Sequence, residues 1–342
     1  MSGSAAPSLP ADAARPPGPC LLSVVSPVYN EAGGICEFHR RVTQAMAGLP
    51  ADLDYELVLV DDGSSDGSFA AMKQLARSDP HVVVHRLSRN FGHQLAITAG
   101  TDLARGDVVV VLDSDLQDPP EVVPDMLRLW QQGWDVVYGR RRSRAGESRF
   151  KVLTARVFYR LVNAMSEVDL PLDAGDFRLL DRRVAEVLTG MREQNRYVRG
   201  LVSWAGFRQC AYDYDRDPRH LGVTSYTPRK MLRLATDGIA SFSEVPLTLA
   251  TRLGFLVSLA SVLLLVVLVG AKILHPSYAL PGYASLMAVV LFLGGVQLIT
   301  VGILGQYVGR IYRETKSRPL YVIAETVEGA SGRPTAVADR NA

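Results

Sequence analysis

Cysteine is scarce in this chain of 342 residues, and Cys20, Cys36 and Cys210 stand far apart with no CxxC pair among them. Such spacing argues against a disulfide framework and a structural zinc site, and it fits a reducing compartment. No GxGxxG follows the first strand-like run, and no GxxxxGK followed by Ser or Thr occurs anywhere. A Rossmann dehydrogenase and a P-loop NTPase are therefore poorly supported. Neither sign of charge dominates: 37 Lys and Arg face 35 Asp and Glu, for a formal net charge of +2. That balance disfavours a nucleic-acid binder, and an acidic or low-complexity disordered chain is excluded as well. The stretch Met1–Pro19 is rich in Ala, Pro and Ser and lacks the apolar run of a signal peptide, so residues 1–20 are expected to form a disordered tail.

What is present is unevenly distributed. The average of 48% hydrophobic and 21% charged residues hides two charge-free runs in the last quarter, Leu253–Ala271 (about 19 residues) and Ala284–Gly305 (about 22 residues). At 1.5 Å per residue such runs suit a hydrocarbon core ~30 Å thick. A membrane region over 236–319 is expected, with transmembrane helices at about 251–273 and 283–307. Arg229, Lys230, Arg233 and Arg252 precede the first run, and Arg310, Arg313, Lys316 and Arg318 follow the second. The connecting loop has only Lys272 at its edge, so the positive-inside rule places both ends of the hairpin, and the large N-terminal domain, in the cytoplasm. After Val322 the chain is expected to be a polar cytosolic tail, within 320–342.

From Leu21 onward the pattern alternates strand and helix. LLSVVS, ELVLVD, VVVHRL and VVVVLD are short, β-branched and nearly continuous in apolar character, as parallel strands covered on both faces are. Helical segments are expected at Ala32–Ala47, Ser68–Arg77, His93–Ala104 and Pro120–Gln131. This is a doubly wound α/β layout, in which ligands bind beyond the carboxyl ends of the strands. Those ends read Pro27-Val28-Tyr29-Asn30-Glu31, Asp61-Asp62-Gly63-Ser64, Arg89-Asn90-Phe91-Gly92-His93-Gln94 and Asp113-Ser114-Asp115-Leu116-Gln117-Asp118. Carboxylates beside a diphosphate make sense only with a divalent cation between them. Asp113 and Asp115 offer two hard oxygen ligands to one Mg²⁺ or Mn²⁺.

PVYNE, DDGSSDGS, RNFGHQ and DSDLQDPPE, in that order, resemble the nucleotide-sugar half of family 2 glycosyltransferases of GT-A fold. The likeness continues through Ala174–Arg182, Asn195–Gly200 and LATDGIASFSEVPL into the apolar hairpin, where the string resembles polyisoprenyl-phosphate glycosyltransferases: bacterial undecaprenyl-phosphate glucosyltransferases and, more distantly, dolichol-phosphate mannosyltransferase. The resemblance implies a GT-A domain over 21–235, a sugar donor (UDP-glucose favoured), a polyprenyl phosphate acceptor in the membrane, a Mg²⁺ or Mn²⁺ cofactor, an inverting reaction and a tetramer. Pro27, Tyr29, Glu31, Val60, Asp61, Asp62, Asp113 and Ser114 would line the donor pocket. Asp113, Asp115 and Gln117 would hold the metal and diphosphate. Asp115, Asp176 and Arg140 are the catalytic candidates, with Asp176 open as an orienting group, a brace for an arginine or a proton acceptor. Arg140, Arg149, Arg178, Arg199, Arg216 and Arg219 are the candidates for the acceptor phosphate. Ser148–Met165 reads as an amphipathic interface helix that would bring basic side chains to lipid headgroups. One departure is Gly222-Val223-Thr224-Ser225-Tyr226, which lacks the lysine relatives often carry there. A processive polysaccharide synthase of the same fold is the alternative enzyme, though its usual QxxRW motif is missing; a catalytically silent membrane scaffold is the alternative of another class.

Overall fold

Residues 20–50, 52–141, 174–215, 245–274 and 282–329 are described by the computed structural model. They fall into two compact units, one built on a sheet and the other on the helices within 228–318. The expected tail before Cys20, the helix expected at 148–165 with Arg149, the 222–226 departure, and Arg216 and Arg219 lie outside the described residues.

In the first unit the chain runs β1 (Cys20–Val28), α1 (Ile35–Met46), β2 (Leu53–Asp61), α2 (Ser68–Ser78), β3 (Val82–Leu87), α3 (His93–Leu103) and β4 (Val108–Val111). A 3-10 turn (Pro120–Val122) enters α4 (Val123–Gln131), followed by β5 (Val136–Arg141), β6 (Ala174–Asp181), α5 (Arg182–Gly190), α6 (Val198–Trp204) and β7 (Gln209–Tyr214). The second unit holds α7 (Val245–Leu274) and α8 (Tyr283–Thr315), after which β8 (Ile323–Glu328) rejoins the sheet of the first. The eight strands are ordered β7-β5-β6-β4-β1-β2-β3-β8. The block β3-β2-β1-β4 is parallel, as expected from the continuous apolar runs.

Amphipathic spacing builds the layers. In α1 the buried residues Ile35, Phe38, Val42 and Met46 recur every three or four positions, and α4 does the same with Val123, Met126, Leu127 and Trp130. Each fully buried side chain of this size stabilises the fold by roughly 1.5–3 kcal/mol. Helix α3 sits close against the sheet: a Cβ on Gly100 would stand 2.3 Å from Val25 Cγ1 and 3.1 Å from Val60 Cγ2. Glycine is therefore required there by packing.

Two strands depart from the sequence reading. β6 runs antiparallel between β4 and β5, separating strands that are consecutive in the chain. β8 lies within the expected tail, yet it pairs antiparallel with β3 through Val84↔Val327, His85↔Thr326 and Arg86↔Glu325. The physical reason is the open edge of β3, whose unpaired backbone groups the returning segment satisfies. Val322 O accepts from Ser88 N at 2.9 Å, His85 Nδ1 lies 3.0 Å from Thr326 Oγ1, and Tyr321 donates to Asp102 at 2.9 Å. The folded part thus continues through Glu328.

In the second unit, α7 and α8 overlie both expected spans and extend beyond them. Exposed side chains include Phe255, Leu263, Val266, Phe292, Leu298 and Ile299. Among the described residues, Phe292–Thr315 is the helical stretch long and apolar enough to cross a membrane.

Candidate active site

The loops after β1, β2 and β3 are tied together by short hydrogen bonds. Asp62 N donates to Val28 O at 2.9 Å, Asn30 N to Ser64 Oγ at 3.0 Å, Ser65 N to Asn30 Oδ1 at 2.9 Å and Glu31 N to Ser68 Oγ at 2.8 Å. Two backbone positions make this possible. Asn30 takes a left-handed conformation (φ 55°), which Asn tolerates. Gly63 (φ 69°) packs so tightly that a Cβ would meet Arg89 C and Asn90 N at 2.6 Å. Only glycine fits both demands.

Within this frame Tyr29 is half exposed and Glu31 partly exposed, whereas Pro27 is buried and its carbonyl accepts from Ser114 Oγ at 3.0 Å. Three expected donor-pocket residues are otherwise engaged. Val60 is fully buried and packs toward Gly100 in the core. Asp61, also fully buried, accepts from Ser64 N at 3.0 Å through Oδ1 while Oδ2 faces Arg86 Nε at 3.2 Å. Asp62 accepts from Phe91 N at 2.7 Å and Gly92 N at 3.0 Å, which fixes the loop before α3. Burial pushes the Asp62 carboxyl above its usual range, and these two bonds offset part of that rise.

The segment after β4 alternates: Asp113, Asp115 and Gln117 are partly exposed, whereas Ser114, Leu116 and Asp118 are buried. Leu116 holds a left-handed backbone (φ 59°) with its side chain inside, a strained turn that puts the alternate polar side chains on the open side. Gln117 N donates to Asp115 Oδ1 at 3.1 Å. Oδ1 of Asp113 is a buried carboxylate oxygen that accepts no hydrogen bond. Desolvation, with the nearby Asp176, Asp118 and Asp115 adding to it and His93 opposing, pushes the Asp113 carboxyl up to about 6. Among the described residues no three His, Cys, Asp or Glu side chains form a closed metal cage. A buried hard oxygen that accepts no hydrogen bond, beside a second carboxylate, nonetheless fits Mg²⁺ or Mn²⁺, which draw most of their ligands from phosphate and water.

Facing Asp113 is a cationic cluster. His93, the first residue of α3, has Nε2 3.5 Å from Asp113 Oδ1 and 3.3 Å from Asp176 Oδ2. Burial works against its charged form, but the two carboxylates outweigh it and raise its pKa. Asp176, on β6, is bonded by Arg199 through Nε at 2.8 Å and Nη2 at 3.1 Å, and by Gln94 Nε2 at 3.2 Å. Burial alone would raise the Asp176 carboxyl; His93, Arg199 and Arg178 instead hold it well below the usual range. Arg178 is buried, donates to Gly175 O at 3.0 Å, and is pulled down to about 10 chiefly by desolvation.

Arg140 is not part of this cluster. It forms a two-pronged pair with Asp213 of β7, at 2.5 and 2.8 Å, as its register partner on the neighbouring strand. The next residue points to the site instead: Arg141 Nη2 lies 3.7 Å from Asp118, Nε donates to Tyr214 Oη at 3.4 Å, and a Cβ on Gly175 would meet its guanidinium at 3.1 Å. A register shift between Tyr138 and Arg140 accompanies this change. Bulges re-aim side chains in this way. His93, Gln94 and Arg141 are thus residues of the site that sequence reasoning left unassigned; the RNFGHQ motif pointed to the first two.

The family model for glycosyl transferase family 2 matches residues 23–189. The chain is 45% identical over 304 residues to an uncharacterized glycosyltransferase of Bacillus subtilis, covering 89% of this chain and 93% of that protein. This chain belongs to glycosyl transferase family 2. As a family 2 member it is a glycosyltransferase, and it is also 39% identical over 312 residues to a bactoprenol glucosyl transferase of Shigella phage SfII, covering 90% of this chain and 99% of the relative. Among solved structures, Staphylococcus aureus TarS 1-349 in complex with UDP-GlcNAc aligns with TM-score 0.45 and 17% identity over 64% of this family 2 chain and 65% of that one.

Proposed function

We propose that this family 2 enzyme moves one sugar, glucose favoured, from a UDP-sugar to a polyprenyl phosphate of the bactoprenol type, with inversion at the anomeric carbon. The observation that carries this reading is the place of His93, which lies between Asp113 on the donor side and the Asp176–Arg199 pair on the other. Metal-binding carboxylates and phosphate-binding cations are thereby one side chain apart, as attack by one phosphate on a sugar leaving another requires. The likeness to bactoprenol glucosyl transferases supports the acceptor.

Asp113 and Asp115, with Gln117 beside them, would hold a Mg²⁺ or Mn²⁺ that neutralises charge building on the leaving diphosphate. Tyr29 and Glu31 border the donor base and ribose, while Asp62 and Ser114 fix the loops around them. The acceptor phosphate is already ionised at neutral pH, with its second pKa near 6, so a strong base is unnecessary. A carboxyl held as low as Asp176 is a weak proton acceptor. Its role is to orient Arg199, which with Arg178 beneath and Arg141 nearby supplies positive charge for the acceptor phosphate. Catalysis is then positioning and electrostatics. Helices α7 and α8 form a transmembrane hairpin with the catalytic unit and both flanks in the cytoplasm, at the inner membrane; assembly as a tetramer belongs to the same reading.

The test is to incubate membranes containing the full chain with undecaprenyl phosphate and a panel of labelled nucleotide sugars, and to follow the extracted lipid. Label on the lipid from UDP-glucose is expected. Folded protein that transfers none of the sugars would refute the proposal.

A further inference from the structure

Gln94 has no part in the mechanism above, yet it touches both halves of the acceptor-side cluster. It is the second residue of α3, a helix buried against the sheet along Ala96, Ile97, Ala99 and Gly100, so its backbone is firmly placed. Its amide is engaged at both ends: Nε2 donates to Asp176 Oδ2 at 3.2 Å, and Oε1 accepts from Val198 N at 3.0 Å. Only one orientation of the amide satisfies both partners, because a backbone N–H can only donate and an ionised carboxylate can only accept.

Val198 opens α6, and its N–H has no acceptor within that helix. The preceding residue, Tyr197, provides no side-chain cap. Gln94 supplies the missing acceptor from a different element. The next residue, Arg199, then returns to Asp176 with two hydrogen bonds. Asp176, Gln94, the Val198 backbone and Arg199 thus close a ring that joins β6, α3 and α6.

We propose that Gln94 is a positioning residue for sugar transfer, a two-ended clamp that sets the orientation of Asp176 and Arg199 toward the acceptor phosphate. The proposal rests on the acceptor reading given above. It separates two substitutions that simple packing would treat alike. Gln94→Leu removes both bonds at nearly constant volume. Gln94→Glu keeps the acceptor for Val198 but sets a second carboxylate against Asp176.

Kinetics of the full-length protein with UDP-glucose and undecaprenyl phosphate, UDP binding by calorimetry and exchange of the Val198 amide hydrogen test it together. Misplacement of a binding group by about 1 Å costs on the order of 100-fold, so both variants should lose roughly 10–100-fold in kcat/KM for the lipid while UDP affinity changes less than twofold. Val198 should exchange at least tenfold faster in Gln94→Leu and stay protected in Gln94→Glu. Gln94→Leu on an Arg199→Gln background should add no further loss, since residues acting through one another are not additive. Full transfer by Gln94→Leu, losses that multiply with those of Arg199→Gln, or a fall in UDP affinity parallel to the rate would overturn the proposal. Wild-type protein that labels no undecaprenyl phosphate while Val198 exchange responds as stated would refute the acceptor reading and leave the clamp standing.

Discussion

Asp176→Asn removes one charge from the centre of the site, and the structure sets the size of the effect. Asp176 is 8% exposed, and its carboxylate carries contacts from His93, Gln94 and Arg199, with buried Arg178 alongside. Removing one partner of a buried ion pair costs about 3–5 kcal/mol, because the remaining charge is left uncompensated. Arg199 keeps 32% of its side chain exposed, so water takes up part of that loss and the lower end, about 3 kcal/mol, is expected. For a unit on the order of 200 residues this corresponds to a drop in Tm of roughly 6–12 °C. The pH dependence has a definite sign. The folded carboxyl lies below its unfolded value, so its contribution is fully present above the unfolded pKa of about 4 and is lost as pH falls through the folded one. Wild type and Asp176→Asn should therefore differ most near neutral pH and converge only in strong acid. Thermal denaturation of the purified full chain from pH 3 to pH 8 measures this. Equal Tm values at pH 7 would refute the reasoning that Asp176 is the counter-charge of the arginine cluster.

Two further outcomes follow from the frame around the site. Gly63→Ala places a Cβ 2.6 Å from the backbone at Arg89 and Asn90, which forces the β2 and β3 loops apart; donor KM should rise at least tenfold, and an unchanged KM would count against these loops as the donor wall. His85 is buried on β3 with its pKa pushed down to about 4 by desolvation. The unfolded chain binds that proton near pH 6.5, so stability falls between pH 6.5 and about 4, by roughly 3 kcal/mol in all. His85→Gln should flatten the acid limb of a urea-denaturation series over that window, and an unaltered slope would show that His85 is not the responsible group.

The central parallel strands were legible because their signal is local: a continuous β-branched run means that both faces are covered, and the polar residues after it mark the ligand end. Strands β6 and β8 were not, because an antiparallel partner distant in the chain leaves no local mark. IAETVE at 323–328 is polar enough to pass for a tail, and only the open edge of β3 explains its pairing. Among the candidate site residues, the side chains of Asp113, Asp115 and Gln117 are partly exposed between buried neighbours, and Asp176 is bonded by Arg199, a contact that no local pattern in the sequence marks. Arg140, expected from the resemblance, pairs with Asp213 on the neighbouring strand, whereas Arg141, which no motif marked, lies toward Asp118. Packing, an ion pair and loop hydrogen bonds engage the side chains of Val60, Asp61 and Asp62, which residue type alone does not reveal.

The carboxylates after β4 are the proposed holders of metal and diphosphate, and the most direct measurement is transfer of labelled sugar to undecaprenyl phosphate by Asp115→Asn and Asp113→Asn protein in membranes, with melting temperature recorded beside it. Each substitution keeps the size of the side chain and removes a hard anionic oxygen donor. Transfer is predicted to fall by at least 100-fold with the fold intact, since the expected cation would be worth several kcal/mol to the leaving diphosphate. Undiminished transfer by either variant would contradict the assignment of these residues to the metal and diphosphate.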